Sequence, residues 1–403
     1  MKKILGISCL ALASLFVGCS DDNENMEEKA TKATFIEGYA KIVAANYDDS
    51  YTTAVAMKTK IDAFLAAPSA ASLKEAKDAW LYARDFYGQT EAFRVAEGPI
   101  DNEDLLATEG QINAWPLDEA FIDYVSDNRG GSVQNGLIGD TNFVITEANI
   151  IAENANDAEE KEVTTGWHAI EFLLWGQDLN YNPQTHTLDN FASAGNRAFT
   201  DYTTADFADR RKQYLEVVTN LLVKDLKDLK TTWAEGGSYR TTFAKLDEKA
   251  AITNILSGIG FISNGEVALE RLDPAINEGQ ENEHSCFSDN TNQDMWANVH
   301  GINNVIAGTY KRADGSKVTG TSLVTLVATL NTNVSKDLET KAQATLSKLD
   351  ALLALNKPFD EIIHNESTGS NGPAEQLSSA LKDQGKAIAE AARSLDTAIN
   401  IGS

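Results

Sequence analysis

Long stretches in which apolar residues recur every three or four positions constrain the fold of this chain more than any other feature. Residues 205–235, 322–354 and 374–399 show this spacing over several turns, which is the pattern of amphipathic helices. A further helix is predicted from the capping-box pattern Ser72-Leu73-Lys74-Glu75 to a stop at Gly98-Pro99. The chain has 7 prolines in 403 residues, and proline disrupts helices. Since no convincing run of alternating apolar and polar residues is present, the sequence predicts an all-α fold.

Two pairs of motifs, repeated in the same order, suggest that the chain contains two related helical units. Glu91 precedes a proline by eight residues in TEAFRVAEGPI, as does Glu266 in GEVALERLDPA. His168 precedes a glycine by eight residues in GWHAIEFLLWG, as does His300 in NVHGINNVIAG. Two such coincidences in the same order indicate an internal duplication of a helical unit.

The duplication predicts two related helical bundles, roughly over residues 31–200 and 201–403. Helical bundles place ligand sites between facing helices, and the joint between two bundles is a second natural position for a site. The counterpart of Glu171 in the second unit is Asn303. If the first unit holds a ligand site, the second has therefore lost part of it.

The N-terminal stretch MKKILGISCLALASLFVGCS is typical of an export signal, with two lysines, an apolar run and small residues before Cys19. Its Phe-Val-Gly-Cys ending resembles a lipoprotein cleavage box, in which the cysteine becomes the lipidated first residue of the mature protein. We predict a signal peptide over residues 1–18 and a flexible acidic tether over residues 19–30. Lipid on Cys19 would anchor the protein stably in the cell envelope, at the outer membrane, facing the periplasm or the exterior.

A formal net charge of −26, from 34 Lys+Arg and 60 Asp+Glu, narrows the possible partners. No basic patch interleaved with aromatic residues is present, so nucleic acid is not an expected partner. The acidic field either gathers cations or serves solubility alone. Cys9 leaves with the signal peptide and Cys19 is modified, so Cys286 is a lone thiol and no intrachain disulfide is predicted.

The stretch GWHAIEFLLWGQD, residues 166–178, places two ionisable groups on an otherwise apolar helix. His168 and Glu171 share one face, because residues three apart on a helix are neighbours. A helix that is apolar all round is buried, and a buried carboxylate needs a partner or takes up a proton. That partner could be a metal ion, an arginine or a backbone donor. The structural alternative is a satisfied core histidine beside a salt-bridged glutamate.

The residues Gly166 to Glu171 match the GxHxxE motif of the imelysin family, also classified as peptidase family M75. The matching stretches, in chain order, are TEAFR at 90–94, GPID at 98–101, INAWPLDE at 112–119, HAIEFLLWGQDL at 168–179 and EHSCFSDNT at 283–291. The resemblance covers most of the mature chain. It implies paired four-helix bundles with a functional site at the joint, and an association with bacterial iron uptake.

Candidate ligands come from the same stretches. One imidazole with several carboxylates suits a hard or borderline ion such as iron, manganese or zinc. The predicted metal ligands are His168, Glu171 and Glu91, and the predicted cofactor is a divalent or ferric ion, iron as first choice and zinc as the alternative. The further ligand-binding candidates are polar or aromatic residues of the matched stretches: Arg94, Asp101, Trp115, Asp118, Glu283, His284 and Ser288.

Ordinary structural roles compete at some of these positions. Asp118 stands where a new helix begins, so the helix-cap interpretation is favoured there. Arg94 could neutralise a carboxylate rather than bind a ligand. For Arg84, which shares a helix face with Glu91, the favoured interpretation is a solvent-exposed ion pair.

The sequence therefore predicts a lipid-anchored envelope protein that binds iron or an iron-bearing ligand for uptake, with other iron-transport components as possible partners. The alternative is an M75-type metallopeptidase that uses His168 and Glu171. Zinc peptidases of the HExxH and HxxEH kinds place two histidines and a glutamate in one helical segment. This chain supplies one histidine there, which favours binding over hydrolysis. A third interpretation is an adhesion or scaffold protein in which the polar pair is structural.

Overall fold

The computed structural model describes residues 29–125, 136–155, 161–178, 194–279, 282–364 and 366–402, with the backbone of residues 181–182 and 187–188. The predicted signal peptide, Cys19 and nearly all of the predicted tether lie outside the described residues, so those assignments stay predictions. Among the helices of the described ranges, none combines the length and the apolar character needed to cross a membrane.

Two long helices open the described chain, α1 (Lys32–Ala66) and α2 (Ala70–Thr90). Ser69 caps α2, because its hydroxyl accepts from the backbone of Ser72 at 3.1 Å and the Ser72 hydroxyl accepts from the backbone of Ser69 at 3.0 Å. The capping box predicted to start at Ser72 is therefore wrong by one turn. The helix also ends earlier than predicted, in a 3-10 turn at Glu91–Phe93.

Short elements connect these helices to the next long one. The short helices are α3 (Glu109–Ile112), α4 (Glu119–Ile122), α5 (Gly136–Gly139), α6 (Glu147–Ala152) and α7 (Gly166–Trp175). They are followed by the two-residue strands β1 (Tyr181–Asn182) and β2 (Thr187–Leu188), which pair antiparallel, and by a 3-10 turn at Phe199–Tyr202.

The remaining chain is again mainly helical. Its elements are α8 (Ala208–Trp233), α9 (Ser238–Phe243), α10 (Glu248–Phe261), a π-helical segment (Ile262–Leu272), α11 (Asp273–Glu278), α12 (Thr291–Ala307), β3 (Thr309–Lys311), β4 (Lys317–Thr319), α13 (Leu323–Ala328), α14 (Thr332–Leu353), α15 (Phe359–Ile363) and α16 (Pro373–Ser394). The predicted all-α fold is confirmed. The helix predicted over 322–354 is instead two helices, because Asn331 accepts from the backbone of Asn333 and Val334 and starts α14.

Two groups of helices form the core. In the first group α1 packs along α2 and α8, and α7 packs on α8 and α2. In the second group α16 packs along α14, α10 and the π-helical segment, and α12 packs against α14. Direct contact between α2 and α12 joins the groups along a seam. The predicted border at residue 200 assigns α8 to the second bundle, whereas α8 packs within the first group; the division into duplicated bundles stays a prediction.

The contact between α2 and α12 is close because both helices carry glycine where they meet. A Cβ at Gly301 would lie 2.4 Å from the carbonyl oxygen of Gln89, and a Cβ at Gly88 would lie 2.7 Å from Cβ of Ala297. Real side chains do not tolerate such distances, so the two backbones approach only because these Cβ atoms are missing. Helices α2 and α12 are therefore tightly packed against each other.

A π-helical segment directs two charges toward the seam. α10 continues into Ile262–Leu272 and then into α11 without a break. A π-helix bonds residue i to residue i+5, which brings side chains five apart together. Glu266 and Arg271 are such a pair, with 2.7 Å between Oε1 of the glutamate and Nη2 of the arginine. The π-helical segment thus holds the charged groups of Glu266 and Arg271 next to each other.

Candidate functional site

Helix α7 is buried along its whole length, as its apolar sequence predicts. Every residue from Gly166 to Trp175 is buried, and the side chains of His168 and Glu171 are fully shielded from solvent. Nδ1 of His168 lies 2.9 Å from Oε2 of Glu171, as expected of residues three apart on one helix face. An imidazole and a carboxyl group therefore form a pair inside the core.

Glycines fix both ends of α7. Gly166 has a φ of +81° and Gly176 a φ of +73°, values that residues with side chains rarely adopt. A Cβ at Gly166 would also lie 2.3 Å from the carbonyl oxygen of Ile112. The glycine of the GxHxxE motif thus permits close approach of the segment that carries Trp115, whose ring lies 4.8 Å from that of His168, centroid to centroid.

Ser288, in the loop before α12, provides two hydrogen bonds to Glu171. Its backbone N–H and its hydroxyl donate to Oε1 of the glutamate at 2.9 and 2.7 Å. Burial raises the pKa of Glu171 to about 8, while the hydrogen bonds from Ser288 act in the opposite direction. This carboxyl group therefore titrates far above the range of an ordinary glutamate.

Arg84 of α2 brings a positive charge against the pair. Its side chain is fully buried, and its Nη2 lies 3.4 Å from Nε2 of His168 and 3.3 Å from Nδ1 of His284. Its Nε donates to Oδ1 of Asp294 at 3.1 Å, and its Nη1 donates to Oδ1 of Asn113. The predicted solvent-exposed ion pair at Arg84 is wrong, because the packing of α2 against α12 and α7 seals this face from water.

Asp294 of α12 balances the charge of Arg84 and contacts His284. Its Oδ2 lies 2.8 Å from Nδ1 of His284 and accepts from the hydroxyl of Ser285 at 2.6 Å. Burial works to raise the pKa of Asp294, but Arg84 and His284 hold it well below its ordinary value. Burial lowers the pKa of both His168 and His284. At neutral pH the cluster therefore contains a buried ion pair beside two uncharged imidazoles.

A metal centre at His168, Glu171 and Glu91 does not fit this arrangement. Nε2 of His168 faces an N–H of the Arg84 guanidinium at 3.4 Å, and Nδ1 faces Oε2 of Glu171 at 2.9 Å. Neither ring nitrogen is left to coordinate a cation, and the guanidinium lies between the two imidazoles. Within the part of the chain that the structure describes, no three His, Cys, Asp or Glu side chains are grouped to hold a metal ion.

Beside this cluster, ion pairs cross the seam between the helix groups. Nη2 of Arg271 donates to Oε2 of Glu91 at 2.5 Å and to Oε1 of Glu266 at 2.7 Å. Nη1 of Arg94 donates to Oε1 of Glu266 at 3.2 Å and lies 3.3 Å from Oε1 of Glu109. Burial works to raise the pKa of Glu266, but Arg271 and Arg94 lower it to about 2. The two glutamates that the motif comparison pairs, Glu91 and Glu266, therefore meet at one guanidinium.

A cavity of about 370 Å³ opens at the seam beside these ion pairs. Arg94, Asn113, Trp115 and Arg271 are part of its wall. Buried Nε of Arg94 and buried Nδ2 of Asn113 have no hydrogen-bond partner among the described residues. Because buried donors are normally satisfied, this seam cavity has the size and the polar groups of a small-molecule site.

The structure brings some of the predicted residues together. His168, Glu171, His284 and Ser288 form one cluster, while Arg94 and Trp115 line the cavity, as does His284. Two other residues of this cluster were not predicted as site residues. Arg84 and Asp294 stand 210 positions apart in the chain. The only signal for Arg84 was its position on the same helix face as Glu91, and Asp294 gave no signal.

Other predicted ligand residues lie elsewhere, and the structure corrects their roles. Glu91 is held by Arg271 rather than by His168 or Glu171. Asp118 is exposed and caps α4, as the competing interpretation expects. Asp101 accepts from a backbone N–H of the preceding loop at 2.5 Å, and Glu283 accepts from the hydroxyl of a threonine at 2.8 Å. None of the four lines the seam cavity.

Fold and site together define a class of protein: all-α, with a buried His–Glu–Arg–Asp cluster at the seam between two groups of helices. The family model described as imelysin, peptidase M75, matches residues 43–397. The chain belongs to the imelysin family.

Similar proteins are known by sequence and by structure. Iron-regulated protein A of Synechococcus elongatus is 26% identical over 327 residues, which cover 78% of this chain and 73% of that protein. The crystal structure described as an iron-regulated protein A precursor from Parabacteroides distasonis is 20% identical, with a TM-score of 0.67, and the match covers 92% of this chain and 97% of that one. The crystal structure of an imelysin-like protein from Psychrobacter arcticum is 15% identical, with a TM-score of 0.56, and the match covers 92% of this chain and 96% of that one. The two structures share the fold.

Proposed function

We propose that this chain is an exported, lipid-anchored protein of the cell envelope that binds an iron-bearing small molecule for uptake and does not catalyse a reaction. The link to iron comes from the relative named Iron-regulated protein A. Export and anchoring are supported by the N-terminal signal pattern and by Cys19. The proposed binding site is the seam cavity.

The observation that carries the proposal is the chemistry of the cavity wall. Arg94 and Arg271 present guanidinium groups, which recognise carboxylates well, and each already pairs with Glu266 of the same wall. Burial raises the pKa of Glu109, also in the wall, and this favours its uncharged form. Trp115 adds a flat apolar surface. Such a wall suits a ferric carboxylate chelate, because the chelator's oxygen atoms hold the iron and its outer carboxylates meet the arginines.

A bare ion is the weaker candidate for this cavity. Both ring nitrogens of His168 are engaged, by Glu171 and by Arg84. A free cation beside Arg84 would also be repelled by a guanidinium that stays charged at any accessible pH. The cluster around Arg84 therefore supports the wall and keeps Trp115 and His284 in position, while the chelator supplies the metal ligands.

Isothermal titration with ferric citrate, with citrate alone and with a ferric salt of nitrilotriacetate tests the proposal. We expect ferric citrate to bind, and the variants Asn113→Ala and Trp115→Leu to weaken it by about tenfold each. The control variant Arg393→Met removes an exposed arginine outside the cavity, with a side chain 61% exposed, and should bind like the parent. Absence of binding by any ferric chelate would contradict the proposal, as would peptide hydrolysis that a metal chelator abolishes.

The anchor is tested separately. Metabolic labelling with a radioactive fatty acid should mark the full-length protein and should not mark the variant Cys19→Ala. The variant should also leave the membrane fraction, since a lipidated N-terminus is the proposed anchor. A labelled Cys19→Ala variant would overturn this part of the proposal without affecting the assignment of the cavity.

A further inference from the structure

The pair of helices α2 and α12 has a second face, turned away from Arg84 and Asp294. This face borders another groove, of about 680 Å³, that shares no lining residue with the seam cavity. We call it the outer groove, and it is defined by six residues: Tyr82, Phe86, Trp296, His300, Lys311 and Lys317. Its volume lies within the usual range for a small-molecule site.

Aromatic rings form two walls of the outer groove. On α2, the rings of Tyr82 and Phe86 lie edge to face, 5.2 Å apart. On α12, the rings of Trp296 and His300 lie 4.5 Å apart at 46°. Tyr82 keeps 51% of its surface exposed. Aromatic faces that remain open on both sides of a groove can hold a flat ring between them or against them.

Two lysines form the third wall. Lys311 of β3 and Lys317 of β4 are directly opposite one another in the hairpin register, and both are exposed. Like charges at directly opposed positions destabilise a hairpin. Neither lysine makes a salt bridge with a described residue, whereas the intervening Arg312 pairs with Asp48 and Asp49. The hairpin thus presents two lysine charges that lie outside any salt bridge with a described residue, on a protein with a net charge of −26.

A carboxylate on the turn of the hairpin, Asp314, also lines the groove but forms no salt bridge with either lysine. Oδ1 of Asp314 accepts from the backbone N–H of Ser316 at 2.8 Å and from its hydroxyl at 2.6 Å. Both bonds stay within the turn. Burial lowers the pKa of His300, so this ring is uncharged at neutral pH and serves as an aromatic surface.

We propose that the outer groove binds a small organic anion that carries a flat ring, such as an aromatic carboxylate. The anionic group would meet Lys311 and Lys317 together, which relieves their mutual repulsion. The ring would lie against Tyr82 and Trp296. The proposal is independent of the function proposed for the seam cavity, because the two sites share no residue and require different chemistry of the ligand.

Three probes separate the two elements of recognition. 2-Naphthoate carries a ring and a negative charge, 2-naphthalenemethanol carries the ring alone, and acetate carries the charge alone. Binding measured by chemical-shift titration should be at least about tenfold tighter for 2-naphthoate than for either other probe, since the two contributions add. Equal affinity for the charged and the neutral ring compounds would overturn the proposal.

Variants locate the site. In Lys311→Gln/Lys317→Gln, affinity for 2-naphthoate should fall about three- to tenfold, as expected for two exposed charge contacts, and affinity for the neutral ring should not change. The matched control Lys227→Gln/Lys245→Gln removes two exposed lysines elsewhere and should leave both affinities unchanged. Tyr82→Ser should weaken both ring compounds. All these positions are exposed, so the fold is retained, and unchanged affinity in both groove variants would contradict the assignment.

Discussion

Nη2 of Arg84 lies 3.4 Å from Nε2 of His168, between that ring and the ring of His284. A cation shared by the two imidazoles would need the same space. The guanidinium is itself a permanent cation, and its charge is balanced by Asp294 at 3.1 Å. The histidine and glutamate of the GxHxxE motif therefore belong to a buried hydrogen-bonded network.

Substitutions of Arg84 and Asp294 should have strongly non-additive effects on the free energy of unfolding. Arg84→Met leaves the carboxylate of Asp294 buried without its partner and should lower the free energy of unfolding by about 3–5 kcal/mol. The double variant Arg84→Met/Asp294→Leu removes both charges and should lose less than the sum of the two single variants. Urea denaturation of the four proteins measures the coupling, and additive losses would contradict the buried pair.

Stability should depend on pH through Glu171. Burial raises its pKa to about 8, so the stabilisation linked to its proton is complete below the ordinary glutamate range and is lost as pH rises through about 8. Glu171→Gln cannot titrate. Between pH 6 and pH 9 the parent should lose on the order of 3 kcal/mol more unfolding free energy than this variant.

Urea denaturation midpoints at pH 6, 7.5 and 9 measure this difference. Asp62→Asn is a suitable control, because Asp62 is an exposed carboxylate in a surface pair with Lys58. Its pH dependence should follow that of the parent. Parallel curves for the parent and Glu171→Gln would show that the buried carboxyl does not titrate in this window.

The hydroxyl of Ser288 should matter most when Glu171 is charged. It donates to Oε1 at 2.7 Å, and hydrogen bonds to charged groups contribute more than those to neutral groups. Ser288→Ala should therefore lower the free energy of unfolding by about 2 kcal/mol at pH 9 and by less at pH 6. Ser379→Ala, at an exposed serine, provides the control. A loss that is the same at both pH values would argue against a charged acceptor.

The close packing of α2 against α12 should not tolerate a methyl group. Gly301→Ala would place a Cβ 2.4 Å from the carbonyl oxygen of Gln89, and the resulting separation of the helices should cost about 1–3 kcal/mol. Gly110→Ala meets nothing within 4 Å and should be neutral or slightly stabilising. Thermal unfolding of both variants separates a packing effect from a general effect of replacing helical glycine.

The sequence predicted the features that depend on local spacing. The buried helix α7 and the contact of His168 with Glu171 follow from periodicity over a few residues. The break between α13 and α14 was missed because Asn331 caps a helix inside an otherwise continuous amphipathic pattern. Two partners of the motif, Arg84 and Asp294, were missed for a different reason. They pair across 210 positions of the chain, and only the tertiary fold brings such residues together.

The contacts of the acidic residues that were predicted as ligands also depend on the tertiary fold. Asp118 and Glu283 stand in stretches that match the family, yet one caps a helix and the other accepts from the hydroxyl of Thr291. Conversely, Arg271 lies outside the stretches that match the family, yet it binds both Glu91 and Glu266. Residue type and position in a motif do not specify which way a side chain turns at the seam.

The most direct test is X-ray absorption at the iron edge for the protein loaded with ferric citrate. If the chelate binds with its own ligands intact, the iron should show oxygen coordination alone, and the spectrum should be unchanged by replacing His168 with alanine. Nitrogen scattering from an imidazole that disappears in the His168→Ala variant would contradict the account, because it would place His168 on the metal.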